Sequence, residues 1–222
     1  MSKKTDGLKR PVNRTDSAPP WGSRPYVVEK YYAAVEALIR PLIGTGISPN
    51  FISSLSLIAA AVSGYFYSRG AFFTGGMLLL FTGFLDTLDG TVARLSGKMT
   101  RFGALLDSTL DRYAEFFIFF GLLIFFREDP AFYIILAAVM GSVMVSYIKA
   151  RSQSLGETRS VGLMQRPERL ILLIAGSLLD YPVRTINPEL GHGTLIAALA
   201  LLAVSSNMTA LRRLYQGKKD LK

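Results

Sequence analysis

The sequence predicts an all-α integral membrane protein, with six transmembrane helices preceded by a cytoplasmic amphipathic surface helix. Three observations predict it. Half of the 222 residues are hydrophobic and the mean hydropathy is +0.33, too apolar for an ordinary soluble domain of this length. Six stretches each approach the ~20 residues that a bilayer requires. Of 25 Lys and Arg residues, only Arg69, Arg127 and Arg184 fall in the loops after the first, third and fifth stretches. The positive-inside rule then puts both termini in the cytoplasm of a multi-pass cell-membrane protein.

Residues 1–24, "MSKKTDGLKRPVNRTDSAPPWGSR", are rich in Lys, Arg, Pro and Ser and lack an apolar h-region. They read as a flexible basic tail, not a signal peptide, with Trp21 as a candidate interfacial anchor. Across residues 25–43, Val28, Tyr31, Tyr32, Val35, Leu38 and Ile39 recur at helical spacing, opposite Glu29, Lys30, Glu36 and Arg40. That pattern predicts an amphipathic helix lying on the bilayer surface. Pro41, Gly44 and Gly46 end it. The six-helix domain is predicted over 47–215, with spans near 50–68, 71–93, 104–126, 130–149, 168–183 and 193–214, and 216–222 form a basic C-terminal tail. The second, third and fifth spans carry polar ends, which must face one another, water or a ligand, because an intramembrane charge is costly. No internal repeat supports a transporter built from inverted halves.

Composition also excludes chemistry. Cysteine is absent and His192, in a Gly-rich turn, is the only histidine, so thiol or serine–histidine catalysis has no support. His192 reads as a surface or loop residue. The net charge of +9 flanks apolar stretches instead of covering one soluble face, which indicates anionic membrane lipid and no nucleic acid as partner.

The distinctive stretch is "DTLDGTVARLSGKMTRFGALLDSTLD", residues 86–111. With about 100° of turn per residue, Asp86, Asp89, Gly90 and Ala93 share one face of helix two, with Arg94 at its edge. On helix three, Gly103, Asp107 and Asp111 recur at i, i+4 and i+8. A short turn containing Gly97 joins the two helices, which predicts antiparallel neighbours with these faces opposed. Four carboxylates so placed repel, at about 4 kcal/mol for a pair ~4 Å apart at an effective dielectric near 20. A cation must sit among them. All-oxygen ligation suits Mg²⁺, Mn²⁺ or Ca²⁺, and four acids suffice for two ions, a recurrent device for phosphoryl chemistry. Gly90 and Gly103 permit close approach by a ligand or by a facing helix. Arg94 is read as a phosphate ligand in preference to a snorkelling side chain.

The spaced string Asp86, Asp89, Gly90, Ala93, Arg94, Gly103, Asp107, Asp111 resembles the signature of the CDP-alcohol phosphotransferase family. The resemblance implies six membrane helices after a surface helix, Mg²⁺ or Mn²⁺ as cofactor, and a homodimer. It implies transfer of a substituted phosphate from a CDP-linked donor to an alcohol, with release of CMP. Carried over by position, Asp86, Asp89, Asp107 and Asp111 would bind metal, and Asp111 would be the general base. Gly90, Arg94 and Thr100 would meet the cytidine diphosphate. The segment "PNFIS" resembles the start of helix one that closes the nucleotide pocket, adding Asn50, Phe51, Ile52 and Ser53.

The acceptor is read from "SYIKARSQSLGETRSVGLMQRPERL", which places Lys149, Arg151, Arg159, Arg166 and Arg169 between helices four and five. Converging cations suit an acceptor bearing its own phosphate, although positive-inside loops are basic without any ligand. "SYIKAR" and "RPERL" resemble the phosphatidylinositol phosphate synthases and their archaeal-lipid counterparts. These join CDP-diacylglycerol or CDP-archaeol to inositol 1-phosphate. Lys149, Arg151, Arg166 and Arg213 would then hold the acceptor phosphate. Phosphatidylglycerophosphate synthase, with glycerol 3-phosphate as acceptor, is the alternative, but the Lys-rich "GK-x-KT" pattern of that branch is absent. A cation carrier or channel also accommodates intramembrane carboxylates. It gives no role to the glycines, to Arg94 or to the basic loop.

Overall fold

The structure, a computed structural model, describes residues 30, 34–37, 39, 41, 46–156 and 164–220. The predicted tail at 1–24, Arg159 and residues 221–222 lie outside the described residues. Six long helices follow one another: α1 (Pro49–Ser68), α2 (Phe72–Leu95), α3 (Arg101–Phe125), α4 (Ala131–Ser154), α5 (Arg166–Ile186) and α6 (Gly193–Asp220). Their ends follow local rules. Pro49 opens α1, where its missing N–H leaves no intrahelical bond unmade. Gly70 and Gly97 close α1 and α2 at φ 74° and 67°. Each lets the next N–H reach back five residues, from Ala71 to Phe66 O at 3.0 Å and from Lys98 to Ala93 O at 3.1 Å.

Among the described residues, four segments are long and apolar enough to cross a membrane: α1, α2, α4 and Pro188–Lys219, which takes in all of α6 but its last residue. The chain is therefore a multi-pass membrane protein. In α3 the charges Arg101, Asp107, Asp111, Arg112 and Glu115 crowd the first fifteen residues, and α5 has Arg166, Glu168 and Arg169 at one end and Asp180 and Arg184 towards the other. The helices extend beyond the predicted spans where polar residues continue them. Thus α6 runs through Gln216–Asp220, which the sequence assigns to a tail.

The helices form a ring in the order α1, α2, α5, α6, α4, α3, closing on α1. This corrects one expectation. α2 and α3 do not pack as a hairpin; α1 contacts both and stands between them. Close approach comes from Gly64 and Gly121. A Cβ on Gly64 would lie 2.3 Å from Phe117 O, and one on Gly121 2.0 Å from Gly64 O, so α1 and α3 touch backbone to backbone. Interhelical hydrogen bonds reinforce the ring, including Ser63 Oγ to Gly75 O at 2.8 Å and Asn207 Nδ2 to Ala137 O at 2.9 Å.

The ring has an apolar half and a polar half. Tyr67, Leu79, Ile118, Leu122, Ile135, Leu195 and Leu199 fill the first. There His192 lies, as its Gly-rich neighbours predict, in the turn before α6, where it is half-buried. Its ring meets Phe72, Phe125 and Phe126 edge-on, and Nδ1 lies 2.8 Å from Asp180 Oδ2. Asp180 is 1% exposed and needs that partner. In the polar half, described residues 30, 34–37, 39 and 41 are helical. Val35 and Ile39 are buried there beside Val92, with Ile52, Phe84 and Leu88 packed around them, so the apolar side of this segment covers protein.

Gly121→Ala should lower the melting temperature in detergent by several degrees, since overpacking costs about 1–3 kcal/mol. Gly83→Ala, with nothing within 4 Å of the added Cβ, should leave it unchanged or slightly raised. Equal melting temperatures for the two variants would contradict the backbone contact of α1 with α3 at Gly121.

Candidate active site

The polar half gathers the predicted carboxylates. Asp86 and Asp89 lie in the C-terminal half of α2 and Asp107 near the start of α3, and one oxygen of each lies within 4.8 Å of the others. Asp89 is 5% exposed and accepts a 2.6 Å hydrogen bond from Ser53 Oγ on α1. A hydroxyl on α1 thus orients the most buried of the three carboxylates. Three convergent carboxylates with no His or Cys form a hard-oxygen donor set that fits Mg²⁺ or Mn²⁺.

Asp111 stands outside that trio. Its Oδ1 takes Arg166 Nη2 at 2.6 Å, while Arg166 Nη1 reaches Asp86 Oδ2 at 2.7 Å. The guanidinium spans from the metal-type cluster to the fourth acid. The sequence placed Arg166 with the acceptor ligands and did not foresee that it bridges two aspartates. Such a pairing needs a long side chain from α5, whose position across the ring no periodicity reveals.

Beside the trio opens a cleft of about 170 Å³ between α1, the α2–α3 turn and the facing ends of α2 and α3. Asn50, Ser53, Gly90, Arg94 and Thr100 line it together with Asp89, Asp107, Lys98 and Gly103. Phe51 and Ile52 do not. Phe51 is 66% exposed and Ile52 packs toward Val92, because only positions three apart, 50 and 53, share the inward face of a helix. A Cβ on Gly90 would meet only Arg94 Nη1, at 3.3 Å, and one on Gly103 would meet Thr100 Oγ1 and the Asn50 side chain. Neither glycine seats a facing helix. Both keep the cleft wall bare. Thr100 caps α3, accepting from Gly103 N at 2.9 Å, and Arg94 Nη2 donates to Thr91 Oγ1 at 2.9 Å.

The remaining predicted cations separate. Arg213 is buried and donates Nη1 to Val145 O at 2.6 Å, joining α6 to α4. Lys149, one turn further along α4, lies within electrostatic reach of it. Arg151 is exposed and donates to Ser154 Oγ at 3.4 Å.

Sequence reasoning missed a second layer beneath Asp111. Glu115 pairs with Arg112, takes Arg169 Nε at 3.1 Å and accepts from Ser142 Oγ; Arg112 Nη1 also reaches Ser146 Oγ at 2.9 Å. The signal was available. Glu115 continues the Gly103, Asp107, Asp111 stripe by four more residues.

The family described as CDP-alcohol phosphatidyltransferase matches residues 46–208. A phosphatidylinositol phosphate synthase of Mycobacterium bovis is 33% identical over 198 residues, 86% of this chain and 89% of that protein. An archaetidylinositol phosphate synthase of Methanothermobacter thermautotrophicus is 35% identical over 184 residues, covering 79% of this chain and 90% of its own. Among solved structures, Mycobacterium tuberculosis phosphatidylinositol phosphate synthase with CDP-DAG bound superposes with a TM-score of 0.72 at 32% identity, covering 82% of this chain and 92% of that one. The same synthase in complex with manganese and citrate gives 0.73 at 31% identity, covering 83% and 88%.

The donor set has a direct test. Asp89→Asn should weaken Mn²⁺ binding by about tenfold or more, and Ser53→Ala by about tenfold through loss of the orienting hydroxyl. Electron paramagnetic resonance titration of purified protein measures both, and unaltered affinity in Asp89→Asn would remove the trio as a metal site.

Proposed function

This chain belongs to the CDP-alcohol phosphatidyltransferase family, and we propose that it transfers a phosphatidyl or archaetidyl group from a CDP-linked lipid to inositol 1-phosphate, releasing CMP. Its relatives carry the names of inositol phosphate synthases, and a structural neighbour holds CDP-DAG. The observation that carries the acceptor assignment is Arg166: a guanidinium drawn to the carboxylates from the basic end of α5 and seated against Asp111. An acceptor with its own phosphate finds a bidentate cation beside the group that must take its proton.

The residues then divide the work. Asp86, Asp89 and Asp107 would hold Mg²⁺ or Mn²⁺, two ions per site, with Asp111 as a further ligand. When bound, the metal neutralises charge on the diphosphate and on the departing CMP. Asn50, Gly90, Arg94 and Thr100 border the cleft that takes the cytidine diphosphate, with Ser53 orienting Asp89; Phe51 and Ile52 support this wall from outside it. Asp111 accepts the proton of the acceptor hydroxyl as its oxygen attacks the β-phosphorus of the donor. That P–O bond forms while the bond from the β-phosphorus to the bridging oxygen breaks, and CMP leaves with the electron pair. Arg166, with Lys149 and Arg213, steadies the acceptor phosphate, and Arg151 meets it from the exposed edge. No covalent enzyme intermediate is needed.

The same reading extends to placement. All six helices span the bilayer, with the charged ends of α3 and α5 turned into the ring, away from lipid. The distribution of Lys and Arg supports cytoplasmic termini and a cytoplasm-facing site, with the helical residues 34–37, 39 and 41 belonging to the surface helix at that end. The functional unit is a homodimer in the cell membrane.

Purified protein with Mg²⁺, CDP-diacylglycerol and inositol 1-phosphate should release CMP. Substantially faster release with glycerol 3-phosphate would overturn the acceptor assignment, and full activity in chelator would overturn the metal requirement. Asp111→Asn should lose transfer while retaining CDP-lipid binding. Arg166→Ala should raise the apparent KM for inositol 1-phosphate by about tenfold or more with little change for the donor; an effect confined to the donor would move Arg166 out of the acceptor pocket.

A further inference from the structure

We infer that Glu115 is a positioning residue for the acceptor site: it sets the register of α5 so that Arg166 reaches Asp111. The inference rests on Arg166 being an acceptor-phosphate ligand.

The geometry is a ladder with two rungs. On α3, Asp111 and Glu115 are four residues apart, and on α5, Arg166 and Arg169 are three apart. Each spacing is about one helical turn, roughly 6 Å and 4.5 Å of rise. Asp111 pairs with Arg166 at 2.6 Å and Glu115 with Arg169 at 3.1 Å. α3 and α5 are not neighbours in the ring, since α1 and α2 intervene on one side and α4 and α6 on the other. The two rungs therefore cross the interior, joining helices that share no extensive backbone contact.

The rungs differ in what else holds them. The upper one faces the carboxylate cluster and must remain available to substrate. The lower one is tied down: Glu115 also engages Arg112 and Ser142, and Arg112 reaches Ser146, so α4 is fastened to the same carboxylate. Arg169 is 3% exposed and its Nη2 makes no hydrogen bond among the described residues. A buried guanidinium so incompletely satisfied depends on the one carboxylate that meets it. Glu115 thereby fixes the angular and axial position of α5 one turn below Arg166. Without it the Arg166 side chain keeps its chemistry but loses its aim.

Glu115→Gln keeps the size and removes the charge. It should raise the apparent KM for inositol 1-phosphate by about tenfold, while the KM for CDP-diacylglycerol and the affinity for Mn²⁺ stay within about twofold. In an Arg166→Lys background, where the bidentate contact is already lost, the further effect of Glu115→Gln should fall below about twofold. An unchanged acceptor KM, an equal rise for both substrates, or the same effect in both backgrounds would overturn the inference. If the single variant does not fold, Glu115→Gln with Arg169→Gln removes both buried charges, and should fold with the acceptor KM still raised; a wild-type acceptor KM in that double variant would equally overturn it. Should the wild-type protein prefer glycerol 3-phosphate, the acceptor assignment above fails by itself, and the same cycle on that acceptor still decides the role of Glu115.

Discussion

Everything in the polar half of this ring answers to one constraint: four aspartates, one buried and three half-buried, face one another. Their repulsion cannot be relieved by spreading out, because α1 pins the geometry from between α2 and α3. It is relieved by counter-charge. Arg166 bridges the first and last members of the group, and the donor set of Asp86, Asp89 and Asp107 suits a divalent ion. The hydroxyl of Ser53 and the incoming helix α5 are arranged around that balance. The apolar half, packed on Tyr67, Leu79 and Leu122, supplies the stability that a half so rich in charge cannot.

A membrane protein has little hydrophobic drive between its helices, so shape and hydrogen bonds decide which helices meet. The glycines are sorted accordingly. Gly64 and Gly121 are buried against backbone, while Gly90 and Gly103 look onto open cleft. The same residue type thus closes one helix pair and keeps another wall clear. Two glycines in the same turn chemistry, Gly70 and Gly97, reverse the chain at opposite ends of α2.

Much of this was legible in the sequence, for reasons that can be stated. Apolar runs bounded by charge give helix positions to within a few residues, and spacing of three and four assigns Asp86 with Asp89 and Asp107 with Asp111 to common faces. Periodicity says which residues share a face but not what lies opposite it. The ring order was therefore unreadable, and with it the insertion of α1 between two consecutive helices and the pairing of Arg166 across the interior. Hydropathy undercounts polar helix ends, so α4 and α6 outran their predicted spans. Phe51 and Ile52 were carried over with the motif as a block, whereas helical spacing turns only Asn50 and Ser53 onto the cleft. His192 was read from its Gly-rich neighbours, which hide the buried acid twelve residues earlier that holds it.

The up-and-down order of the ring brings the amino ends of α1 and α3 to the border of the cleft. Each such end carries a partial positive charge from its aligned peptide dipoles, equivalent to roughly half a proton. That field belongs to the backbone. It neither titrates nor disappears when a side chain is exchanged, and it acts on any anion that enters, whatever alcohol the chain serves. Selectivity in such a pocket resides in side chains that evolution can replace, whereas this part of its pull on anions is built into the direction in which the chain runs.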